Sequence, residues 1–418
     1  MSTSPGTRGV ASSAVLSTVG IGLQGVSRLA YTVLIGRFLG TETLGHASTL
    51  MSFSILAALL WPTAAGNTAS RVFAVALHAR RPDVDIIRLL SRSMLISSAV
   101  LAVVAFPVAL LLGNTPLTAA GASWLVVGYG LYAFARGAQL GYHGAGKTAV
   151  WDGVTSVISL GLLLAVCVGG LEGIVLLPLS IGYTVFAVAC WPRGNSIADG
   201  SPAGKDGLLK FAAWNVLAGI TTNGLLQVCM LAAQVVGTDR QAGVYAAAFS
   251  LATPASMLGQ AVSQVVIPAF AHKDQAASLR QSGPRRLFIG FFVASTVVFG
   301  LAILLAPVYL PWFYPTEASE AVPVLRFLLL GVFVFTVALV PAALLLAAGQ
   351  SKRVAVTSLI GFTIGMIAVL GAAVPSGVEA GSVGFLIGSA VNLIVMIVLS
   401  VRGPAAPVEV EPPTAPAT

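Results

Sequence analysis

Long apolar runs separated by short polar breaks occupy the chain from residue 11 to residue 402. Each run holds about 20 residues or more, which is the length a helix needs to cross the hydrocarbon core of a bilayer. The runs lack the alternation of polar and apolar residues that marks barrel strands. They therefore predict an all-α, polytopic membrane protein with about twelve transmembrane helices. The predicted spans are 11–36, 46–77, 92–113, 118–142, 149–169, 172–192, 208–236, 242–271, 286–310, 321–348, 353–374 and 380–402.

The composition agrees with this pattern. Of the 418 residues, 57% are hydrophobic and 9% are charged, and the mean hydropathy is +0.93, whereas a soluble domain carries about 25% charged residues. The longest polar stretch between spans, 193–207, leaves no room for a soluble catalytic domain. The three cysteines, Cys167, Cys190 and Cys229, all fall in apolar runs. We expect them to be packing residues rather than disulfide or metal ligands, and we expect no metal or cofactor.

The positive charges lie mostly in alternate loops. With twelve spans, sixteen of the 22 lysines and arginines fall on one side and two, Arg37 and Arg240, fall on the other. The sixteen are Arg8, Arg80, Arg81, Arg88, Arg92, Lys147, Arg193, Lys205, Lys210, Lys273, Arg280, Arg285, Arg286, Lys352, Arg353 and Arg402. Because loops rich in lysine and arginine stay in the cytoplasm, both termini are predicted to be cytoplasmic. The net charge of +8 is then a topology signal that favours contact with membrane lipids, and we expect no nucleic-acid partner.

The two halves of the chain resemble each other at matching loops. GTETLGHAS at 40–48 resembles GTDRQAGVYA at 237–246, and HGAGKTAVWDGVTSVISLG at 143–161 resembles AAGQSKRVAVTSLIGFTIG at 347–365. Six spans per half place both halves in the membrane in the same orientation. The repeat therefore predicts two six-helix lobes with a substrate path between them. The predicted parts are a cytoplasmic lead 1–10, a first lobe 11–192, a cytoplasmic linker 193–207, a second lobe 208–402 and a disordered cytoplasmic tail 403–418.

These segments carry a family resemblance. The end of the first span, LIGRFLGTETLGHAS, resembles the opening of bacterial oligosaccharide-lipid flippases, and GVYAAAFSLATPASMLGQAVSQVVIPAFA in the second half resembles the matching family segment. These flippases form the polysaccharide-transporter branch of the multidrug/oligosaccharidyl-lipid/polysaccharide exporter superfamily. The resemblance implies a MATE-like fold in a bacterial cytoplasmic membrane. It also implies transport of lipid-linked oligosaccharides, with polysaccharide-assembly enzymes as candidate partners.

Four arginines remain inside predicted spans: Arg28, Arg71, Arg136 and Arg326. A charged side chain at the centre of a membrane helix costs roughly 2.5–3.5 kcal/mol on insertion scales, so such residues usually face a cavity or a partner. No acidic residue falls deep in a predicted span, and Asp152 falls near a cytoplasmic end. The embedded charge is therefore predicted to be entirely positive.

A polar stripe accompanies Arg28 in the first span. Steps of three and four residues place Ser13, Ser17, Gly20, Gln24, Arg28 and Tyr31 on one helical face. The seventh span has a neutral stripe that includes Asn223 and Gln227. Guanidinium groups pair well with the phosphate oxygens of a pyrophosphate, and neutral polar groups can bind sugar hydroxyls. The predicted substrate-binding set is Gln24, Arg28, Tyr31, Arg71, Arg136, Asn223, Gln227 and Arg326.

Structural roles for the arginines are the alternative. Arg28 could snorkel outward or bind a helix-end carbonyl, and Arg71 and Arg136 could snorkel at the cytoplasmic ends of their helices. Arg326 could form an ion pair with Glu317 or Glu320, which are close to it in sequence.

The sequence predicts a flippase that moves a polyprenyl-pyrophosphate-linked oligosaccharide from the inner to the outer leaflet by alternating access. Three alternatives remain open. A cation-coupled multidrug exporter would be expected to use an embedded carboxylate. A membrane glycan polymerase or ligase would be expected to have a large extracytoplasmic loop, whereas the largest here, 311–320, is short. A non-transporting scaffold would give the embedded arginines no clear purpose.

Overall fold

The computed structural model describes residues 7–78, 84–142, 144–193, 207–271, 278–347 and 350–402. Side chains are described for these residues except 7–19, 21, 75, 78, 257–271, 347 and 351. Within these ranges every regular element is a helix and none is a strand. This all-helical architecture is what a bilayer imposes, because each helix satisfies its own backbone hydrogen bonds.

Seven α-helices form the first lobe. Their bounds are α1 Thr7–Leu39, α2 Thr41–Leu60, α3 Pro62–His78, α4 Val84–Leu111, α5 Pro116–Gly141, α6 Ala145–Val168 and α7 Leu177–Ala189. A short 3₁₀ turn, Glu172–Ile174, precedes α7. Helices α2 and α3 together make one predicted span, and the break falls at Trp61, immediately before Pro62. Proline lacks a backbone N–H and is favoured at the first turn of a helix, so the chain ends one helix and begins another there.

Seven α-helices also form the second lobe. Their bounds are α8 Leu208–Gly219, α9 Leu225–Val236, α10 Asp239–Ala271, α11 Ser282–Phe313, α12 Ala318–Ala347, α13 Ser351–Ser376 and α14 Ala380–Arg402. A π-helical segment, Ile220–Gly224, joins α8 to α9, and a 3₁₀ turn, Gly377–Glu379, joins α13 to α14. The α8–α9 pair therefore corresponds to the single first helix α1.

The twelve predicted spans each coincide with one helix or with one of these joined pairs. Nine stretches of the described residues are long and apolar enough to cross a membrane by length and composition. Two boundaries differ from the prediction: α1 begins at Thr7, inside the predicted lead, and α4 begins at Val84, eight residues before the predicted span. Most of the predicted linker, 194–206, and the predicted tail, 403–418, lie outside the described residues. The cytoplasmic location of the termini stays a prediction.

The two lobes share one packing plan. In the first lobe α5 is central and packs against α2, α3, α4 and α7; in the second lobe α12 is central and packs against α10, α11 and α14. Each of these pairs in one lobe has its repeat-related pair in the other. The lobes meet where α1, α2 and α3 pack against α8, α9 and α10.

Two glycines allow the closest approach of the lobes. Gly45 on α2 and Gly243 on α10 occupy matching places in the related loop sequences, and they contact each other. A Cβ atom added to Gly45 would lie 2.8 Å from the backbone nitrogen of Gly243. Because that neighbour is backbone, it cannot move aside as a flexible side chain could. Contact between repeat-related residues is what a two-fold relation between the lobes requires.

Candidate functional site

A cavity of about 620 Å³ lies between the two lobes. Helices α1, α2, α5 and α7 supply its first-lobe wall, and α9 and α10 supply its second-lobe wall. Its volume falls within the range of small-ligand sites, about 300–1,000 Å³. Its lining residues are Gly25, Arg28, Thr32, Ser48, Met51, Ser52, Ser54, Ile55, Leu125, Tyr129, Leu179, Tyr183, Gln227, Phe249, Ser250, Thr253 and Pro254.

Arg28 is the one formally charged residue in that lining. Its Nε and Nη2 donate hydrogen bonds to Tyr183 Oη at 3.1 and 3.0 Å. Its guanidinium carbon lies 5.2 Å from the centre of the Tyr129 ring, within the range of a cation–π contact. The side chain is thus held by neutral partners, and its positive charge is not cancelled by a carboxylate in the cavity wall.

An aromatic cluster supports Arg28 from the first lobe. The rings of Tyr129 and Tyr183 lie 5.3 Å apart edge to face, and Tyr132 lies 4.9 Å from Tyr183. Tyr132 also packs edge to face against Phe186 at 4.7 Å. Aromatic side chains have few rotatable bonds, so a packed cluster of this kind fixes the position of the tyrosine hydroxyl that faces Arg28.

A buried carboxylate lies behind this cluster. Asp152 on α6 is 0% exposed, and its Oδ1 accepts hydrogen bonds from Tyr132 Oη at 3.0 Å and Gln24 Nε2 at 3.1 Å. Its Oδ2 accepts one from Arg136 Nε at 3.3 Å. Asp152 begins the third turn of α6, roughly 10 Å along the helix from its start, so it does lie near the predicted cytoplasmic end. The expectation that the embedded charge is entirely positive is nevertheless wrong, because this acid is enclosed in the first lobe.

The second-lobe wall of the cavity is neutral. Gln227 on α9 is 6% exposed, and its Oε1 has no hydrogen-bond partner among the described residues. Phe249, Thr253 and Pro254 on α10 complete that wall. Among the described residues, no three histidine, cysteine, aspartate or glutamate side chains form a group that could hold a metal ion. The arrangement provides one fixed cation, several hydroxyls and one free amide oxygen, which suits an anionic or sugar-bearing ligand.

The structure brings together two of the predicted site residues, Arg28 and Gln227, in the cavity. Gln24 and Arg136 lie inside the first lobe as partners of Asp152. Tyr31 is 1% exposed, and its hydroxyl donates to the carbonyl of Val175. These three side chains line the first lobe's interior rather than the cavity.

The other three predicted residues lie elsewhere. Arg71 on α3 has its guanidinium carbon 4.6 Å from the centre of the Phe211 ring, so it joins the lobes beside the cavity. Asn223 lies in the π-helical segment, where its Nδ2 donates to Thr222 Oγ1 at 3.1 Å. Arg326 is exposed, and its Nε donates to the carbonyl of Ile303 at 3.1 Å. Its suggested partner Glu320 instead pairs with Arg240 at 2.5 Å.

Sequence reasoning missed Tyr129 and Tyr183, the two side chains that contact Arg28. One signal was available: Tyr129, Tyr132 and Arg136 are spaced by three and four residues, which places them on one face of α5. No comparable signal marks Tyr183, because it is an isolated tyrosine in an apolar helix.

One end of the cavity is closed by contacts between the lobes, at the end that the charge pattern predicts to be outside. His46 Nε2 lies 3.3 Å from Asp239 Oδ1, and Thr49 Oγ1 donates to Gln234 Oε1 at 3.2 Å. Arg37 Nε donates to the carbonyl of Phe313 at 3.1 Å, and Thr41 donates to Glu317. A ligand in the cavity would have to part these contacts to leave by this end.

No protein-family profile and no curated protein sequence matches the chain. Solved structures do match it. An inward-facing multidrug resistance MATE family transporter of the MOP superfamily aligns with a TM-score of 0.64 and 14% identity, over 92% of this chain and 96% of that one. An outward-facing structure with the same description aligns with a TM-score of 0.58 and 15% identity, over 94% of each chain. A eukaryotic MATE transporter aligns with a TM-score of 0.58 and 14% identity, over 93% of this chain and 94% of that one. The predicted MATE-like fold is thus confirmed.

Proposed function

We propose that this protein is a transporter of the multidrug/oligosaccharidyl-lipid/polysaccharide exporter superfamily and, within it, a flippase for polyprenyl-pyrophosphate-linked oligosaccharides. The observation that carries the proposal is Arg28, the one charged side chain in the lining of a cavity between two lobes. A cavity with one fixed positive charge and no facing carboxylate favours an anionic headgroup and disfavours a cationic drug. The proposed location is a bacterial cytoplasmic membrane, with polysaccharide-assembly enzymes as candidate partners.

The chemistry of the headgroup matches the lining. In the structure both donors of Arg28 converge on one hydroxyl, that of Tyr183. A pyrophosphate oxygen pair would offer the planar guanidinium two charged acceptors in place of one neutral acceptor, and charge-assisted hydrogen bonds are roughly twice as strong as neutral ones. The hydroxyls of Thr32 and Thr253 and the amide of Gln227 would then face the sugars.

The path follows from the two-lobe architecture. The lobes close the predicted outer end through Gly45 and Gly243, and the substrate is released there when they part. Alternating access of this kind exposes a central site to each side in turn. The polyprenyl tail stays in lipid throughout, so only the polar headgroup has to cross through the cavity.

A cation-coupled multidrug exporter is the second candidate, and Asp152 favours it. This acid is buried in a membrane lobe and accepts hydrogen bonds from Tyr132, Gln24 and Arg136. An acid of this kind is a default candidate for a proton or ion site. Two features weigh against this reading: the carboxylate already has Arg136 as a counter-ion, and it does not line the cavity.

The two candidates differ in what accumulates when the protein is removed. Depleting the flippase is expected to hold lipid-linked oligosaccharide in the inner leaflet, where an impermeant periplasmic probe cannot reach it. Wild type restores access, whereas Arg28→Ala does not. Arg326→Ala is the matched control, because it removes an arginine from a span without touching the cavity lining, and it restores access like wild type.

The opposite result is equally readable. Unchanged sidedness on depletion, together with raised sensitivity to cationic drugs, would reject the flippase in favour of the exporter. Rescue by Arg28→Ala as complete as that by wild type would keep a flippase but remove Arg28 from its pathway.

A further inference from the structure

A second groove lies on the surface of the first lobe, away from the cavity, at the start of α4. It is lined by Val84, Ile87, Arg88, Ser91, Arg92, Leu95 and Ile96 of α4, and by Trp191, which follows α7. We propose that this groove binds an anionic phospholipid, with its phosphate at Arg88, Ser91 and Arg92 and an acyl chain along Leu95 and Ile96.

The polar end of the groove has the charge that a phosphate needs. Arg88 and Arg92 are one helical turn apart, so both lie on the same face of α4, roughly 6 Å apart along its axis. Arg88 lies 3.8 Å from Asp85, but both side chains of that pair are more than half exposed, and exposed pairs of this kind are weak. Two guanidinium groups therefore face one carboxylate, and the site keeps a net positive charge.

A buried hydroxyl adds an independent sign of a ligand. Ser91 lies between the two arginines and is 9% exposed, and its Oγ has no hydrogen-bond partner among the described residues. A serine within a helix usually donates to the carbonyl three or four residues earlier, as Ser93 does to Leu90. A phosphate oxygen held between Arg88 and Arg92 would accept the hydrogen bond that Ser91 Oγ can donate.

The apolar end of the groove distinguishes a lipid from free phosphate. Leu95 and Ile96 are 47% and 57% exposed and lie one turn deeper along α4 than Arg92. Trp191 forms the other wall, and its ring lies 5.6 Å from that of Phe134, which holds it in place. Tryptophan is enriched where membrane helices meet the headgroup layer. A cationic end, an interfacial tryptophan and an aliphatic floor occur here in the order in which a phospholipid presents its phosphate, glycerol and chain.

The second lobe supplies a matched control. Helix α11, the repeat counterpart of α4, has Arg285 and Arg286 in its first two turns. These arginines are adjacent in sequence and so point about 100° apart around the helix. Removing them changes the net charge by as much as removing Arg88 and Arg92, and does so near the same predicted leaflet.

The test is a lipid titration of the purified full-length protein in detergent, with the Tm as the signal. Phosphatidylglycerol is expected to raise the Tm of wild type with saturation. The Arg88→Ala/Arg92→Ala variant is expected to need about 30-fold more lipid for half the rise, at about a fivefold effect per arginine near an anionic lipid. Arg285→Ala/Arg286→Ala is expected to stay within about twofold of wild type. The Tm of each variant without lipid reports folding separately.

Further arms separate a lipid site from its rivals. Phosphatidylglycerol brominated on its chains is expected to quench a fraction of the fluorescence that Trp191→Phe removes. An equal rise with phosphatidylcholine would reject selection by charge, and an equal rise with inorganic phosphate would reject the lipid. An equal loss in the α11 variant would reduce the effect to net charge. Each of these three outcomes overturns the proposal.

Discussion

The two halves of the chain share a scaffold and differ in what they enclose. Both pack their helices in the same pairs around α5 or α12. The first lobe encloses Arg136 and Asp152 and places Arg28 in the cavity, whereas the second lobe presents Gln227 and neutral hydroxyls to that cavity. The packing plan thus tolerates very different polar interiors, because it is fixed by apolar contacts and by glycines at close approaches. Charge in one lobe alone gives the central cavity a polar and a neutral wall.

The helix breaks also differ between the halves. Pro62 begins α3 and divides the second span of the first half, whereas Pro254 lies within α10, which is continuous from Asp239 to Ala271. The second half instead loosens its first span, through the π-helical segment Ile220–Gly224. A π-helical turn widens a helix locally and is common at functional sites. The two lobes therefore place their irregular backbone in different repeat-related helices.

The largest predicted effect concerns the buried ion pair of the first lobe. Replacing Asp152 by Ala leaves Arg136 without its counter-ion in a site where its side chain is 15% exposed. We expect the variant to lose about 3–5 kcal/mol of stability, because an uncompensated buried charge remains. Equilibrium unfolding in detergent measures the loss.

The second lobe offers the contrasting pair. Arg240 and Glu320 are 67% and 51% exposed, so Glu320→Ala is expected to cost at most about 1 kcal/mol. Equal losses for the two variants would contradict the difference in burial on which the comparison of the lobes rests.

The next effect concerns the place where the lobes touch. Gly45→Leu inserts a side chain against the backbone of Gly243, and overpacking of this kind typically costs about 1–3 kcal/mol. If the contact belongs to the state closed at this end, the variant shifts the population toward the state open at this end. Distances between spin labels on the ends of α2 and α10 report the shift.

Gly290→Leu is the control for this substitution, because a Cβ at Gly290 meets no atom within 4 Å. It should leave the label distances unchanged. Unchanged distances in Gly45→Leu as well would mean that the contact does not hold the lobes together.

The smallest effect separates two buried tyrosines, one in each lobe. Tyr183→Phe removes the acceptor of Arg28, whereas Tyr245→Phe removes the hydroxyl that contacts Ser382 at 2.6 Å within the second lobe. Each loss is worth roughly 1 kcal/mol. We expect about fivefold slower transport for Tyr183→Phe and unchanged transport for Tyr245→Phe. Matched initial rates in proteoliposomes measure both, and an equal slowing in the two would make the effect one of stability.

The sequence predicted the membrane architecture well, for a physical reason. A bilayer requires about 20 apolar residues per helix, and this requirement is visible in any single stretch of chain. The repeat-related loops that contain Gly45 and Gly243 also predicted two lobes. The early start of α4 was missed because Arg88 and Arg92 made the segment look like a loop, although long basic side chains are tolerated at a membrane surface.

The site was predicted less well because it depends on which neighbour each helix face meets. Gln24, Arg28 and Tyr31 do share a face of α1, but most of that face packs against α6 and α7. Only Arg28, at its edge, lines the cavity. The partnership of Arg136 with Asp152 joins residues of two helices, and nothing in either helix alone announces it.

The most direct test of the central claim is flipping by purified protein in liposomes. A fluorescent polyprenyl-pyrophosphate-linked oligosaccharide is placed in both leaflets, and an impermeant reagent bleaches the outer leaflet. Wild type is expected to let the reagent reach nearly all of the probe. Arg28→Ala should flip about 10- to 150-fold more slowly, the range expected for losing a charged hydrogen-bonding partner. Flipping by Arg28→Ala at the wild-type rate, or no flipping by wild type, would contradict the claim that this cavity carries a lipid-linked anion.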